Sequence, residues 1–186
     1  KDDILKLFED IKKQWGQIDF VVHAVSHSDK SEMLGEYINT TRENFLRTML
    51  NSCFSFTEVA KEASKIMKDG GSMLTLTYES TKTIPNYNVM GVCKAALESS
   101  VKYLAKDLGS KKIRVNAIAP SLVDTPLSSK FLNNEAKIDK ANERHPLGRI
   151  GNALEIAKAT AFLLGDESSW MTGRVLQLDG GIGNLK

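Results

Sequence analysis

The amino-acid sequence predicts an α/β fold, a doubly wound parallel sheet with helices on both faces. Three observations predict it. Segments alternate along the chain as helix, strand, helix, strand, helix, strand, helix, strand. The strand-like segments are short, nearly continuous apolar runs, as strands covered on both faces are. The helix-like segments are amphipathic, with one apolar stripe each.

Ile4, Leu5, Phe8, Ile11 and Trp15 recur at helical spacing over residues 3–15, and Gly16 can end that helix. Residues 19–25, Asp-Phe-Val-Val-His-Ala-Val, form the first strand, expected to be buried on both faces. Residues 26–40 are polar and irregular. Thr40 or Thr41 can cap a long helix reaching about residue 68, with Phe45, Met49, Phe56, Val59, Ala60 and Ala63 on its apolar face. Gly70-Gly71 ends it, and residues 72–77 read as the second strand. After a polar loop, Asn86 is a candidate cap for a helix carrying Leu97, Val101, Leu104 and Leu108, with Gly109 at its C-terminal cap. Residues 113–119 are the third strand. Residues 126–143 are polar and partly helical. Asn152 with Glu155 three residues on marks a capped helix to about Leu164. Residues 175–178 are the last strand, and Asp179-Gly180-Gly181 turns the chain.

The chain has 186 residues, 41% hydrophobic and 26% charged, a balance that suits one soluble domain over residues 1–186. Its net charge of +2 is spread along helices, which argues against a nucleic-acid partner. No apolar run approaches the ~20 residues that span a bilayer, so no membrane segment is expected. The start resembles no signal peptide and reads as a helix entered in mid-fold. Cys53 and Cys93 have no metal-ligand spacing and read as reduced core or interface residues of a cytoplasmic protein.

A doubly wound nucleotide-binding fold opens with a strand, a Gly-rich turn and a helix. No such cluster precedes Asp19. The two opening βα units, on the order of 60–70 residues at ~30 each, are expected to be absent, leaving the C-terminal portion of a Rossmann-type domain.

Chemistry concentrates between residues 78 and 98. Tyr87 and Lys94 are seven apart, so on one α-helix both point the same way, about 10.5 Å apart along the axis. Lys94 can reach back toward Tyr87. A nearby ammonium is expected to lower a phenol's pKa. A Tyr so placed can donate a proton or strong hydrogen bond to a substrate oxygen gaining charge.

The run from Asn86 through Gly91 and on through Lys94-Ala95-Ala96-Leu97-Glu98 resembles the active-site helix of the short-chain dehydrogenase/reductases, and within them the divergent enoyl-acyl-carrier-protein reductases. Leu74 to Tyr78 resembles their preceding strand, with a second active-site tyrosine at Tyr78. The commoner short-chain enzymes place Tyr four residues before Lys, and here that position is Met90. The resemblance therefore implies hydride transfer from a nicotinamide cofactor to the C=C of an enoyl thioester in fatty-acid synthesis, with Tyr87 stabilising the enolate oxygen. It implies that Lys94 holds the cofactor ribose and Tyr78 lines the substrate pocket. Ala24 and Val25, ending the strand beside the adenosine ribose, and Val123 and Thr125, near the carboxamide and phosphates, are the further cofactor contacts it implies. NADH is the expected cofactor, with NADPH open. The substrate is expected on acyl-carrier protein or CoA, and the long helices resemble those that pair in homotetramers.

The similarity to enoyl reductases is strongest over residues 3–118. Beyond it, Ala119-Pro120-Ser121-Leu122 lacks their usual Ala-Gly-Pro turn, and His145-Pro146-Leu147-Gly148-Arg149 fits the broader family better. Asn51 is either a helix-bulge residue that holds a relay water or a polar residue inside the long helix. His23 reads as a packed residue or wall. A carbonyl reductase of the same fold, or a non-catalytic homologue, are the alternatives.

Overall fold

The computed structural model describes residues 2–183. Four parallel strands make its sheet: β1 (Phe20–His23), β2 (Gly71–Leu76), β3 (Ile113–Pro120) and, as introduced below, the last strand of the chain, which lies beyond β3. Helix α1 (Asp2–Trp15) precedes β1, and α2 (Arg42–Met49) with α3 (Ser55–Ala63) links β1 to β2. Helix α4 (Asn88–Leu108) links β2 to β3. A small parallel pair follows, β4 (Val123–Asp124) and β5 (Gly151–Asn152), with α5 (Glu135–Glu143) between. Helix α6 (Ala153–Leu164) and β6 (Val175–Leu178) complete the fold, with sheet order β1-β2-β3-β6. The doubly wound expectation holds, and the two-residue strands β4 and β5 are additions too short to leave a periodic signal.

Alternation along the central strands sorts two cores. Met73, Val115 and Ala117 face α1, α3 and α4 and pack with Phe8, Phe56, Leu97 and Val101. Leu74 and Ile118 face the other way, onto Leu163 of α6. Arg114 in β3 ties α6 down by donating to the carbonyls of Leu163 and Gly165 at 2.9 Å, which satisfies acceptors that every helix leaves bare at its C-terminus. The capping box at Asn152 and Glu155 forms as the sequence predicts.

Several expectations are corrected. β1 is an edge strand, not one covered on both faces: Phe20 and Val22 are 56% and 42% exposed, because α6 lies over β2 and β3 and does not reach them. The helix expected over 41–68 begins with the Thr41 cap but is split by a π-turn at Leu50–Phe54. Asn86 does not cap α4. It takes φ +60 and Asn88 φ +33, left-handed geometry that Asn tolerates better than most residues, and Tyr87 becomes the N-cap. Gly109 opens a 3-10 turn with ordinary helical φ, and the left-handed reversal falls on Lys112. Gly71 is required where β2 starts, since a β-carbon there would stand 2.2 Å from the Asp19 carbonyl oxygen.

Candidate active site

Parallel strands all end on one side of a sheet, and the crevice there is where doubly wound folds bind ligands. Ala24 and Val25 follow β1, Tyr78 follows β2, and Ser121 and Val123 follow β3, so the topology brings them to one edge. The N-terminus of α4 opens onto the same edge with Tyr87.

Tyr87 sits in the turn before the helix rather than inside it. Its carbonyl accepts the first helical hydrogen bond from Met90 N at 2.8 Å, and its ring lies 3.7 Å from where a Gly91 β-carbon would stand. The Tyr78 and Tyr87 rings pack at 5.0 Å between centroids, tilted by 52°, a common geometry for aromatic pairs. Lys94, one and a half turns into α4, is 5% exposed and donates from Nζ to the Leu76 carbonyl at the end of β2, 2.9 Å away. An ammonium has three hydrogens; this bond uses one and leaves two for a ligand.

The electrostatics correct one sequence expectation. Lys94 does not lower Tyr87. Burial raises the Tyr87 phenol well above the tyrosine range, and the neighbouring Tyr78 and Cys93 push the same way. Burial is also the main cause that raises Tyr78, against the Ser121 hydroxyl and Arg144, which favour its ionised form. Burial lowers Lys94. Tyr87 is therefore a protonated donor, suited to stabilising developing negative charge and not to acting as a standing phenolate.

His23 is a wall, as expected. It is 4% exposed, with Nδ1 3.0 Å from Thr75 Oγ1 and Nε2 2.9 Å from Ser55 Oγ. Its pKa is lowered to about 4, by burial first and by the Lys94 charge second. Asn51 lies in the π-turn, where its carbonyl accepts a hydrogen bond from Ser55 Oγ at 2.7 Å. Cys53 and Cys93 are free and buried, and burial with the nearby Cys53 raises Cys93 to about 11, so Cys93 is not poised as a nucleophile.

The other implied cofactor contacts are placed less tightly. Ala24 and Val25 are exposed and make no hydrogen bond through their side chains. Val123 pairs in β4 and packs against Gly151. Thr125 caps the turn after it, exchanging hydrogen bonds with Ser128 at 2.9 and 3.2 Å, and its hydroxyl is thereby held locally.

Sequence reasoning missed the clasp that shapes the loop after β1. The Glu32 carboxylate accepts from Thr41 N and Oγ1 and from Asn44 Nδ2, and the fully buried Asn44 in turn accepts from Asp29 N at 3.0 Å. Asn88 Nδ2 donates to the carbonyls of Glu32 and Gly35, tying that loop to the first turn of α4. Scattered single polar residues carry no periodic signal. Ser121 and His145 were missed as well. They line a cleft of about 410 Å³ with Tyr78, Gln177 and Asp179. A second cleft, of about 480 Å³, opens beside Tyr87 between Tyr37 and Ile84. Among the described residues no cluster of His, Cys, Asp or Glu could hold a metal ion, and no helix is long and apolar enough to cross a membrane.

The model of the family described as Enoyl-(Acyl carrier protein) reductase matches residues 1–183. An NADH-type enoyl-acyl-carrier-protein reductase of Rhizobium meliloti is 49% identical over 172 residues, which cover 92% of this chain and 64% of that protein. One of Bacillus subtilis is 44% identical over 181 residues, 96% of this chain and 70% of that protein. Among solved structures, an enoyl-acyl-carrier-protein reductase of Anaplasma phagocytophilum in complex with NAD superposes with a TM-score of 0.92 at 42% identity, covering 100% of this chain and 69% of its own. The chain thus spans about two thirds of the length of the relatives it matches, and the match continues through the last third, where the sequence resemblance was weaker.

Proposed function

The chain belongs to the enoyl-(acyl carrier protein) reductase family, and from that premise we propose that it carries the substrate-reducing part of a cytoplasmic enzyme of fatty-acid synthesis. The reaction is reduction of the C=C of an enoyl thioester, borne by acyl-carrier protein or CoA. NADH is the cofactor, as in the names of the Rhizobium and Bacillus relatives.

The residues present fit the nicotinamide-ribose end of such a cofactor, since Lys94 keeps two free N–H groups at the strand ends. When bound there, the cofactor supplies a hydride to the β-carbon of the substrate. Tyr87 donates its hydrogen to the thioester oxygen as negative charge moves onto it, and so stabilises the enolate. Lys94 holds the ribose hydroxyls. Tyr78 packs against Tyr87 and lines the acyl pocket. The exposed backbone at Ala24 and Val25 flanks the adenosine side, and Val123 and Thr125 border the carboxamide and phosphates. The observation that carries this reading is the packing of Tyr87 on Tyr78 at the cap of the helix that carries the buried Lys94, while Met90, one turn along, offers only a thioether to Ser26 at 3.4 Å. A thioether donates no proton, so a carbonyl reductase built on that position lacks its acid.

Assembly as a homotetramer belongs to the same proposal. Leu46, Leu50 and Phe54 on α2 and the π-turn, and Tyr103 on α4, are exposed apolar groups on the helices that would pair. Light scattering on the full-length protein is expected to give a tetramer.

The functional test is loss of nicotinamide absorbance with crotonyl thioester and NADH, with full-length protein. Wild type is expected to turn over and Tyr87→Phe to be strongly impaired. An unimpaired Tyr87→Phe enzyme, or one that reduces simple ketones and not the enoyl thioester, overturns the proposal.

A further inference from the structure

Helix α4 grips the chain on both sides of Tyr78. Lys94 and Glu98 stand four residues apart on it, so one turn separates them on the same face. Lys94 donates to the Leu76 carbonyl at the end of β2, 2.9 Å away. The Glu98 carboxylate reaches the two residues that bracket the tyrosine. One oxygen accepts from Thr77 Oγ1 at 2.9 Å and the other from Ser80 Oγ at 2.6 Å. Thr77 has one hydroxyl hydrogen, and the carboxylate takes it in preference to the Tyr78 carbonyl, 3.4 Å away. Thr77 is 5% exposed, and its N–H is also held by the Ile118 carbonyl of β3 at 2.9 Å. Ser80 has left the sheet, and its hydroxyl is held by Glu98. Among the described residues Glu98 forms no ion pair, so its carboxylate serves these two hydroxyls.

We propose that Glu98 is a positioning residue for the enoyl reduction, fixing the loop that carries Tyr78 against α4 so that the Tyr78 ring stays on the Tyr87 ring and walls the acyl pocket. This deepens the function proposed above and rests on it. The rings meet at 5.0 Å between centroids, and the backbone that aims the Tyr78 ring runs between Thr77 and Ser80. With Ser80 released, that backbone is held from the sheet side only. Hydrogen bonds to a carboxylate are roughly twice as strong as neutral ones, which suits a short loop that must keep its shape as substrate enters. One helix then carries the acid at its cap, the cation that meets the cofactor and the tie that sets the pocket wall, so the three parts keep one spacing.

The test uses full-length protein as wild type, Glu98→Leu, Glu98→Gln and Ser80→Ala. In Glu98→Leu, kcat/KM for crotonyl thioester is expected to fall between about three- and tenfold, the scale of one net hydrogen bond felt at the site, with KM for NADH unchanged. Glu98→Gln can still accept from one hydroxyl and donate to the other, and is expected to stay near wild type. Placed on Tyr78→Ala, which has no ring left to aim, Glu98→Leu is expected to cost little more, since residues that act through one another are not additive. The readout independent of turnover is NMR of the Tyr78 ring, assigned through Tyr78→Phe. Its ring resonances, shifted by the neighbouring Tyr87 ring, are expected to move toward those of free tyrosine in Glu98→Leu and to stay in place in Glu98→Gln. Should Glu98→Leu fail to fold, Ser80→Ala cuts the same tie from the loop and is expected to reproduce both changes. A wild-type rate with unmoved Tyr78 resonances in Glu98→Leu or, if that variant does not fold, in Ser80→Ala overturns the inference. So does a rise in KM for NADH shared by Glu98→Leu and Glu98→Gln, which would trace the effect to charge beside Lys94 and not to the loop. Absence of enoyl reduction in wild type overturns the functional reading instead, and the Tyr78 resonances still decide the tie.

Discussion

The two tyrosines of the site touch, yet they are held by opposite means. Tyr87 is set by a helix: it caps α4, its carbonyl starts the helical ladder, and burial keeps its phenol protonated. Tyr78 follows the end of β2 in a loop, and lines a cleft with Ser121, Arg144 and His145, which come from distant segments. The difference teaches that one half of the site is built from a helix and apolar packing while the other is built from loops and polar groups. Chemistry placed on Tyr87 and substrate fit placed on Tyr78 follow from that division.

The largest effect expected is on Tyr87. Tyr87→Phe removes the donor and is expected to lower kcat on the order of 10²–10⁴-fold, the usual worth of a positioned acid, whereas Tyr78→Phe is expected to cost about tenfold or less by losing one hydrogen bond. Steady-state kinetics of both variants with crotonyl thioester decide it, and a reversed order breaks the comparison. Lys94→Met is expected to raise KM for NADH on the order of tenfold or more, since it removes the two N–H groups available to the ribose, a loss of charge-assisted hydrogen bonds. It also removes one of the charges that lower His23, so the His23 imidazole is expected to titrate closer to its ordinary value while remaining low, burial being the larger cause. NMR of the His23 ring reads this directly.

His23 gives a third expectation, on stability. Its folded pKa of about 4 lies below the ordinary 6.5, so between those values the unfolded chain binds more protons than the folded one. Stability from this group is therefore complete above pH 6.5 and is lost as pH falls toward 4, by up to about 3 kcal/mol at 1.36 kcal/mol per unit. Denaturant unfolding at pH 7 and pH 5 is expected to show the drop in wild type and a flatter dependence in His23→Gln. Equal slopes would mean that His23, the floor beneath Lys94, is not buried uncharged.

Legibility from sequence follows the same division. The apolar half could be read: the periodic Leu97, Val101, Leu104 and Leu108 placed α4, and with it the helix that carries Lys94 and is capped by Tyr87. What spacing could not supply was the sign of the electrostatics, because the burial that raises the Tyr87 phenol leaves no mark in the spacing of two residues. Nor could it see that Asn86 and Asn88 turn left-handed and push Tyr87 out of the helix. The polar half was nearly unreadable. Ser121 and His145 are 24 positions apart in chain and 2.9 Å apart in space, and one serine and one histidine make no period. Only their departure from the expected turn sequence marked them.

The smallest effect expected sits in the frame around that polar half. Asn152 caps α6 by accepting from Glu155 N at 3.1 Å, while Glu155 closes the box on Asn152 N and pairs with Arg149, which holds its carboxyl down at about 2. Asn142 reaches from α5 to Ile150 N across the same loop, at 3.0 Å. Asn152→Ala is expected to cost about 1 kcal/mol of stability, the usual loss for a helix cap, visible as a lowered Tm with little change in kcat. The reason is redundancy: the loop after α5 is also tied by the Ile150 N–H on Asn142 Oδ1 and by the Leu147 N–H on the Gly180 carbonyl at 3.2 Å. If Asn152→Ala lowered kcat as far as Tyr78→Phe does, the loop between α5 and α6 would be setting Tyr78 as a single unit. The polar half of the site would then be as cooperative as the helical half, and the contrast between the two tyrosines would vanish.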